Sequence, residues 1–212
     1  MKIVHGAVQD YLFKLDRLGD FEDPVLRQME ELGDRLGFPI IGPLVGGVIY
    51  QITRLCGAKS VFELGSGFGY STYWFAKALP ENGIVHHTDM DKENIDQAKK
   101  FLALGRLAHK VRFHQGDAIK SLIQTGGKYD VMFCDIDKNQ YPHVYPLVRK
   151  HLKKNGVLIV DNMLWSGRVV RPGGTAETKG IKKLTKLLYE DKDFFTTLLP
   201  LRDGVTISCR LK

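Results

Sequence analysis

The chain has few cysteines and no long apolar segment. Its three cysteines are Cys56, Cys134 and Cys209, and no two of them form a Cys-x-x-Cys pair. This pattern excludes a disulfide framework and a cysteine-based zinc site, and it predicts a reducing, cytoplasmic location. No apolar run reaches the ~18 residues that a membrane span needs, and residues 1–6 lack the apolar segment of a secretory signal. We therefore expect no membrane partner.

The chain also lacks a strong excess of either charge. Its 31 Lys and Arg against 24 Asp and Glu give a formal net charge of +7. That charge is compatible with an acidic substrate or with RNA, but it requires neither. Hydrophobic residues make up 43% of the 212 residues, which is enough for a sizeable core. We predict a single domain over residues 1–212, with a helical N-terminal arm over 1–57 and an α/β core over 58–212.

The N-terminal arm is predicted to hold three helices. The first has apolar residues at the spacing of one helix face. Asp20 or Asp23 before Pro24 predicts the start of the second, because acidic residues cap helices and proline suits a first turn. The third is expected at about 44–55. The apolar residues of the first helix face are Val8, Leu12, Leu15 and Leu18.

From Lys59 onward, short strands rich in Val, Ile and Phe alternate with helices. Such alternation is typical of a parallel sheet with right-handed crossovers and helices on both faces. Two final strands, at about 194–199 and 204–210, are close enough in sequence to form an antiparallel pair. The earlier strands are predicted at about 59–64, 84–89, 111–115, 129–135 and 156–161. The helices are predicted at about 70–79, 91–105, 117–124, 141–154 and 176–191.

A glycine-rich turn follows the first of these strands. Gly65, Gly67 and Gly69 would let a ligand approach the backbone at the start of the next helix; a tight turn without a ligand is the alternative. The spacing is G-x-G-x-G, whereas the turn that cradles a pyrophosphate is G-x-G-x-x-G. Glu63 would repel a diphosphate and favour a cationic ligand, and Ser71 is placed to meet a carboxylate. The turn therefore favours a sulfonium cofactor over NAD.

Polar residues stand at the carboxyl ends of the predicted strands, where ligands of parallel sheets bind. Asp89 lies 24 residues after Gly65, at a spacing suited to ribose hydroxyls. Asp135, Asp161 and Asn162 supply hard oxygen donors that suit Mg²⁺, Ca²⁺ or Mn²⁺. For Asp161 and Asn162, the alternative is a simple turn.

Two further residues lie close to these strand ends. Lys138 follows Asp135, and a nearby divalent cation would lower its ammonium pKa and suit it as a general base. Trp165 is placed to wall an aromatic substrate. A solvent-facing lysine and a core or interface tryptophan are the alternatives for these two positions.

The motifs together resemble the cation-dependent, S-adenosylmethionine (SAM)-dependent O-methyltransferases, the group of catechol and caffeoyl-CoA O-methyltransferases. The resemblance runs from about Ile40 to the C-terminus. It implies one methyltransferase domain with a Rossmann-like fold, a seven-stranded and mostly parallel sheet, an antiparallel last strand and helices on both faces. The motifs are Phe62-Glu63-Leu64-Gly65 with Gly69-Tyr70-Ser71; Asp135-Ile136-Asp137-Lys138 with Tyr141; Asp161 to Gly167; and Leu199-Pro200-Leu201 with Asp203-Gly204-Val205-Thr206.

The resemblance also implies roles for individual residues. Lys138 and Asp135 are the implied catalytic residues, with Lys138 as the base. Asp135, Asp161 and Asn162 are the implied ligands of Mg²⁺, or of Ca²⁺ or Mn²⁺. The implied SAM contacts are Glu63, Gly65, Ser66, Ser71, Asp89, Met90, Asp117, Ala118 and Asp135. The expected reaction is direct methyl transfer to a hydroxyl of a small acceptor with vicinal oxygens.

Several alternatives for function stay open. Segments 43–47 and 167–174 differ from the plant caffeoyl-CoA enzymes, so the resemblance does not define the acceptor. Bacterial relatives include one that methylates 5-hydroxyuridine in tRNA, and a basic stretch keeps that partner open. An NAD-dependent oxidoreductase and a non-catalytic binding module are the other classes, and relatives suggest a homodimer. The basic stretch comprises Arg168, Arg171, Lys179, Lys182, Lys183 and Lys186.

Overall fold

Three helices precede the first strand in the computed structural model, which describes residues 6–16 and 23–212. They are α1 (Gly6–Asp16), α2 (Pro24–Leu36) and α3 (Gly42–Leu55). Asp23 is confirmed as the cap of α2, because its Oδ1 accepts a hydrogen bond from the Val25 N–H at 2.9 Å. The alternative cap Asp20, and Leu18 of the predicted apolar face, lie outside the described residues.

Within the described ranges, seven strands form one sheet in the order β3-β2-β1-β4-β5-β7-β6. The pairs among β1 to β5 are parallel, and β7 runs antiparallel to both β5 and β6. The predicted mostly parallel sheet with an antiparallel last strand is therefore confirmed. The strands are β1 (Ser60–Leu64), β2 (Ile84–Asp89), β3 (Val111–Gln115), β4 (Tyr129–Cys134), β5 (Leu152–Val160), β6 (Phe194–Leu199) and β7 (Val205–Arg210).

The helices between the strands begin at side-chain caps in several places. Asp91 accepts from the Glu93 N–H at 2.7 Å, and Asp117 accepts from the Lys120 N–H at 2.8 Å. These acidic residues begin their helices by satisfying free N–H groups of the first turn. The helices are α4 (Tyr70–Ala78), α5 (Lys92–Leu104), α6 (Ala118–Thr125), α7 (Tyr141–His151) and α8 (Ala176–Glu190).

One predicted boundary is wrong. The helix predicted to run to residue 154 ends at His151, and β5 begins at Leu152. Leu152 is already extended, with φ −83° and ψ 135°, and it is paired with Tyr129 of β4. The polar residues Lys153 to Asn155 hide this start, because they interrupt the apolar run that marks a buried strand.

The core has two layers, one on each face of the sheet. Side chains of α2 to α5 pack on one face with residues such as Phe75 and Phe133, and those of α6 to α8 pack on the other with Phe62 and Leu158. Successive strand residues alternate between the layers, as Val61 and Phe62 do. Among the described helices, none is both long and apolar enough to cross a bilayer. The helices thus cover both faces and leave the carboxyl edge of the sheet to the polar residues.

Candidate functional site

A cavity of about 280 Å³ lies at the carboxyl edge of the sheet. It adjoins the ends of β1 and β4, between which the strand order reverses, and this is where open α/β sheets bind ligands. The site residues predicted from the sequence that line it are Gly65, Ser66, Ser71, Asp89, Asp135, Lys138, Asp161 and Asn162. The structure therefore gathers eight separately predicted residues around one space.

The glycine turn is held between two other parts of the chain. Gly65 has φ +83°, and a Cβ atom there would lie 2.7 Å from the carbonyl oxygen of Asp135. A Cβ atom at Gly67 would lie 2.9 Å from the ring of Phe38. The Gly65 N–H also donates to the Thr88 Oγ1 at 3.2 Å. Only residues without a side chain fit these approaches, which explains the glycines.

Glu63 lies fully buried beneath this turn and is not among the cavity-lining residues. Its Oε2 accepts from the hydroxyls of Thr72 and Ser66, the latter at 3.4 Å. Its Oε1 has no hydrogen-bond partner in the described part of the chain. Burial raises the pKa of Glu63 to about 7, and the neighbouring hydroxyls of Ser71, Thr72 and Ser66 oppose this rise. A carboxylate in this position gains most from a positively charged ligand.

Asp89 is at the end of β2 and lines the cavity. Its Oδ1 accepts from the Asp91 N–H at 2.8 Å and from the Asn94 side-chain amide at 3.1 Å. These bonds hold the carboxyl group at the edge of the sheet. Met90, the next residue, is 74% exposed and is not part of the lining.

Three other predicted residues lie outside the lining. Asp117 and Ala118 begin α6, where Asp117 caps the helix and Ala118 is buried. The ring of Trp165 lies 5.9 Å from the Lys138 Nζ and 5.1 Å from the Arg168 guanidinium. Trp165 therefore packs beside Lys138, and the structure does not bring Met90, Asp117 or Ala118 into the cavity wall.

The predicted metal ligands Asp135, Asp161 and Asn162 line the cavity together. Asp161 is 3% exposed, and its Oδ1 is buried without a partner in the described residues. Burial and the neighbouring Asp135 raise the pKa of Asp161 to about 7. Burial also raises the pKa of Asp135, and Lys138 opposes this rise. Two carboxylates that disfavour each other's charge, with an unpaired oxygen, fit a hard cation.

The three predicted metal ligands, Asp135, Asp161 and Asn162, are called the cation set below, and this set is small. No group of three or more His, Cys, Asp or Glu in the described ranges is arranged to hold a metal ion. The set has two carboxylates, and its third member is the amide of Asn162. A cation here would therefore take its remaining oxygen ligands from water or an acceptor.

Lys138 connects the cation set to the aromatic residues around it. Its Nζ donates to the Asp135 Oδ1 at 2.7 Å and lies 5.7 Å from the ring centre of Tyr141. Tyr141 is fully buried, and its hydroxyl donates to the Asp161 carbonyl at 2.8 Å. This hydrogen bond anchors the end of β5 and with it the carboxyl group of Asp161.

The loop after β5 has an unusual backbone. Asn162, Trp165 and Ser166 have φ values of 58°, 47° and 51°, in the left-handed region that side-chain-bearing residues rarely adopt. The Leu164 N–H donates to the Asp203 carbonyl at 2.7 Å. Such strained segments persist where the surroundings impose them, and they concentrate at functional sites.

The sequence reasoning missed two parts of the cavity wall, residues 38–41 and the pair Arg202 and Asp203. Arg202 has φ 50°, and its guanidinium donates to the Ile40 carbonyl at 2.5 Å. This bond joins segments 162 residues apart in the chain. The break in the helical pattern near Pro39 and the motif around Asp203 were visible signals, but neither indicates contact across this distance.

The strand order, the antiparallel β7 and the cavity beside the glycine turn define the chain as a Rossmann-like protein of the methyltransferase type. A methyltransferase from Geobacter sulfurreducens superimposes with a TM-score of 0.84 at 28% identity, over 100% of both chains. An O-methyltransferase from Bacillus cereus, solved in complex with SAH, shares the fold with a TM-score of 0.87 at 23% identity, over 96% of this chain and 97% of that one. The predicted fold class is confirmed.

Sequence similarity then identifies the family. Residues 40–211 match the O-methyltransferase family, and the chain belongs to it. It is 31% identical to caffeoyl-CoA O-methyltransferase 2 of Populus trichocarpa, over 79% of this chain and 73% of that protein. It is 32% identical to caffeoyl-CoA O-methyltransferase 1 of Zea mays, over 79% and 70%. The protein is therefore an O-methyltransferase, and the oxidoreductase and binding-module alternatives fall away.

Proposed function

We propose that the protein transfers the methyl group of SAM to a hydroxyl of a small acceptor with vicinal oxygens, with a divalent cation holding the acceptor. The observation that carries this proposal is the composition of the cavity wall. Gly65, Ser71 and Asp89 lie at or after the ends of β1 and β2, Asp161 and Asn162 follow β5, and all five line the same cavity. A donor half and an acceptor half thus face one space.

The donor half suits a cationic nucleoside. Asp89 accepts hydrogen bonds from ribose hydroxyls, and Ser71 in the first turn of α4 meets the carboxylate of the amino-acid end, where helix N–H groups favour an anion. Gly65 and Ser66 let this end approach the backbone. Glu63 supplies negative charge from below for the ammonium group. The Bacillus cereus neighbour was solved with SAH, the product form of this donor.

The acceptor half suits Mg²⁺, with Ca²⁺ or Mn²⁺ as alternatives. Asp135, Asp161 and Asn162 would hold the ion through oxygen atoms. When bound, a divalent cation orients two neighbouring acceptor oxygens and lowers the pKa of the hydroxyl. Asp161 must be ionised for this role, so its raised pKa makes cation binding compete with protons.

Lys138 is the proposed general base. In its neutral form, Nζ takes the proton of the acceptor hydroxyl. The resulting oxyanion attacks the sulfonium methyl carbon in line, so that the O–C bond forms, the C–S bond breaks and S-adenosylhomocysteine leaves. The contact of Nζ with Asp135 at 2.7 Å keeps the base beside the acceptor half. Holding the two reactants in register supplies most of the acceleration in this scheme.

The remaining assignments stay predictions. They include a cytoplasmic location, a homodimer, one domain over 1–212, and direct roles for Met90, Asp117, Ala118 and Trp165. A tRNA acceptor also stays a prediction. Its basis is the row of lysines on α8, which comprises Lys179, Lys182, Lys183 and Lys186.

The proposal is tested with labelled SAM and a panel of acceptors. The panel holds a catechol, a monophenol, and unmodified and hydroxylated tRNA. We expect transfer to the catechol, little transfer to the monophenol, and loss of activity on chelation or in Asp161→Ala. Asp137→Ala is the matched control, because Asp137 is exposed in the loop after β4, two residues from Asp135, and is absent from the cavity wall. Full activity of Asp161→Ala without a cation would contradict the proposal.

A further inference from the structure

A buried hydrogen-bonded chain extends from the glycine turn into the core. It joins Glu63 of β1, Thr72 of α4 and His87 of β2, and all three residues are 0% exposed. The Thr72 hydroxyl contacts the Glu63 Oε2 and lies 2.9 Å from the His87 Nδ1. Thr72 and His87 are absent from the cavity wall and have no place in the reaction described above.

The direction of the hydrogen bonds follows from counting protons. The Thr72 hydroxyl has one proton, so it donates to one neighbour and accepts from the other. The Glu63 Oε2 also receives the Ser66 hydroxyl at 3.4 Å. When Glu63 is ionised, which is the form that binds a cationic ligand, its Oε2 can only accept hydrogen bonds. Thr72 therefore donates to Glu63, and the Nδ1–H of His87 donates to Thr72.

The surroundings of His87 support this direction. Its Nε2 is buried and has no partner in the described part of the chain. With the proton on Nδ1, the Nε2 atom has only a lone pair without a donor. In the opposite tautomer, Nε2 would have a buried N–H without an acceptor, and a buried N–H without an acceptor is rarer in proteins than an acceptor without a donor. Burial lowers the pKa of His87 to about 3, so the ring is neutral and has one N–H to give. Its ring centre lies 5.1 Å from that of Phe113, which holds the ring in place.

We propose that His87 is a positioning residue that acts through Thr72, tying the Oε2 of Glu63 to α4 and so fixing the Glu63 carboxylate beneath the glycine turn, where its negative charge attracts the ammonium of the methyl donor. This rests on the proposed function, in which Glu63 supplies negative charge from beneath the turn for the ammonium of SAM. The first donor of this hydrogen-bonded chain, His87, lies on β2 next to Thr88. The Thr88 hydroxyl donates to the Glu63 carbonyl at 2.7 Å, so β2 holds both the backbone and the side chain of Glu63.

Paired substitutions separate positioning from simple packing. Thr72→Val removes the hydroxyl at constant shape, and Thr72→Ser keeps it. His87→Leu removes the donor, and His87→Asn keeps an N–H near the Nδ1 position. We expect Thr72→Val and His87→Leu to raise the Kd and KM for SAM by about tenfold, with kcat within about twofold. The Ser and Asn variants should stay within about threefold of wild type.

The matched control is Thr53→Val. Thr53 is 1% exposed, and its hydroxyl donates to the Ile49 carbonyl at 2.6 Å, so this variant also loses one buried hydrogen bond. It should lose a similar amount of thermal stability and keep wild-type affinity for SAM. Folded Thr72→Val that binds SAM as wild type does would overturn the proposal.

Nuclear magnetic resonance of the wild-type protein without ligand gives a second, independent readout. The ring nitrogens of ¹⁵N-labelled His87 should show a protonated Nδ1 and an unprotonated Nε2. A protonated Nε2 would overturn the proposed direction of the hydrogen bonds from His87 through Thr72 to Glu63. This result does not depend on whether Thr72→Val and His87→Leu fold. Wild-type protein with the expected tautomer but no affinity for SAM would instead refute the proposed function, and the role of His87 would fail with it.

Discussion

The pH dependence of SAM binding is the sharpest prediction from the buried Glu63. Its pKa is raised to about 7 from an ordinary value of 4.5 because burial disfavours the charge. An ammonium bound above the glycine turn favours the ionised form of the Glu63 carboxyl group, so binding requires the proton to leave. The Kd for SAM should therefore be constant above about pH 7 and rise as the pH falls below it.

The magnitude follows from linkage. Each pH unit below the pKa of the free protein costs about 1.4 kcal/mol of binding free energy, so the Kd rises about tenfold per unit. Near pH 5 the Kd should be about 100-fold above its plateau. Glu63→Gln should remove this dependence and weaken binding at pH 8 by roughly 10- to 100-fold, because the buried negative charge that attracts the ammonium is lost.

Folding stability should change with the opposite sign. A pKa raised on folding stabilises the folded state below the unfolded value, and this contribution is lost as the pH rises through the folded value. As the pH rises from about 4.5 to 7, the free energy of unfolding of the wild type should therefore fall relative to that of Glu63→Gln. Denaturant unfolding of both proteins across this window measures the difference.

Titration calorimetry with SAM from pH 5 to 8.5, in buffers of different ionisation enthalpy, measures both the Kd and the protons released. About one proton should leave per SAM bound well below pH 7 and almost none at pH 8. Asp161→Asn is the control, because Asp161 also has a pKa of about 7 but belongs to the acceptor half. This variant should keep the pH dependence of SAM binding that the wild type shows. A constant Kd from pH 5 to 8.5, or an equal pH dependence in Glu63→Gln, would refute the reasoning.

Two further predictions concern the turn and the base. Gly65→Ala should destabilise the protein by roughly 1–3 kcal/mol and abolish SAM binding, because its Cβ would lie 2.7 Å from the Asp135 carbonyl at φ +83°. In thermal denaturation, Gly47→Ala should be neutral or stabilising, since its Cβ meets no atom within 4 Å; equal loss in both variants would count against the tight approach at Gly65. Lys138→Met should lower kcat by about 10²- to 10⁴-fold with little change in the Kd for SAM, and an unchanged kcat would remove Lys138 as the base.

The first five strands and their direction could be predicted because short apolar runs alternate with helices, and this pattern is typical of a parallel sheet. The start of β5 is the exception to this pattern. β5 begins with Leu152 and continues through Lys153 and Lys154 before its apolar part. Their polarity conceals a backbone that is already paired with β4 at Leu152. Pairing with a distant strand is not visible in the local pattern.

The site could be predicted where topology gathers it. Parallel strands bring Asp89, Asp135 and Asp161 to one edge, so residues far apart in sequence could be grouped by reasoning about strand ends. The wall formed by residues 38–41 and Arg202 could not, because it depends on how two loops meet over that edge. The hydrogen bonds that join Glu63, Thr72 and His87 could not be predicted either, since a buried threonine and a buried histidine look like ordinary core residues in the sequence.

The central claim is methyl transfer from SAM that depends on a cation held by Asp135, Asp161 and Asn162. The most direct measurement is transfer of a labelled methyl group to a catechol by chelated protein, before and after Mg²⁺ is restored. The account predicts no transfer without the ion, transfer after its addition, and none in either state for Asp161→Ala. Equal transfer by the chelated and the restored protein would contradict it.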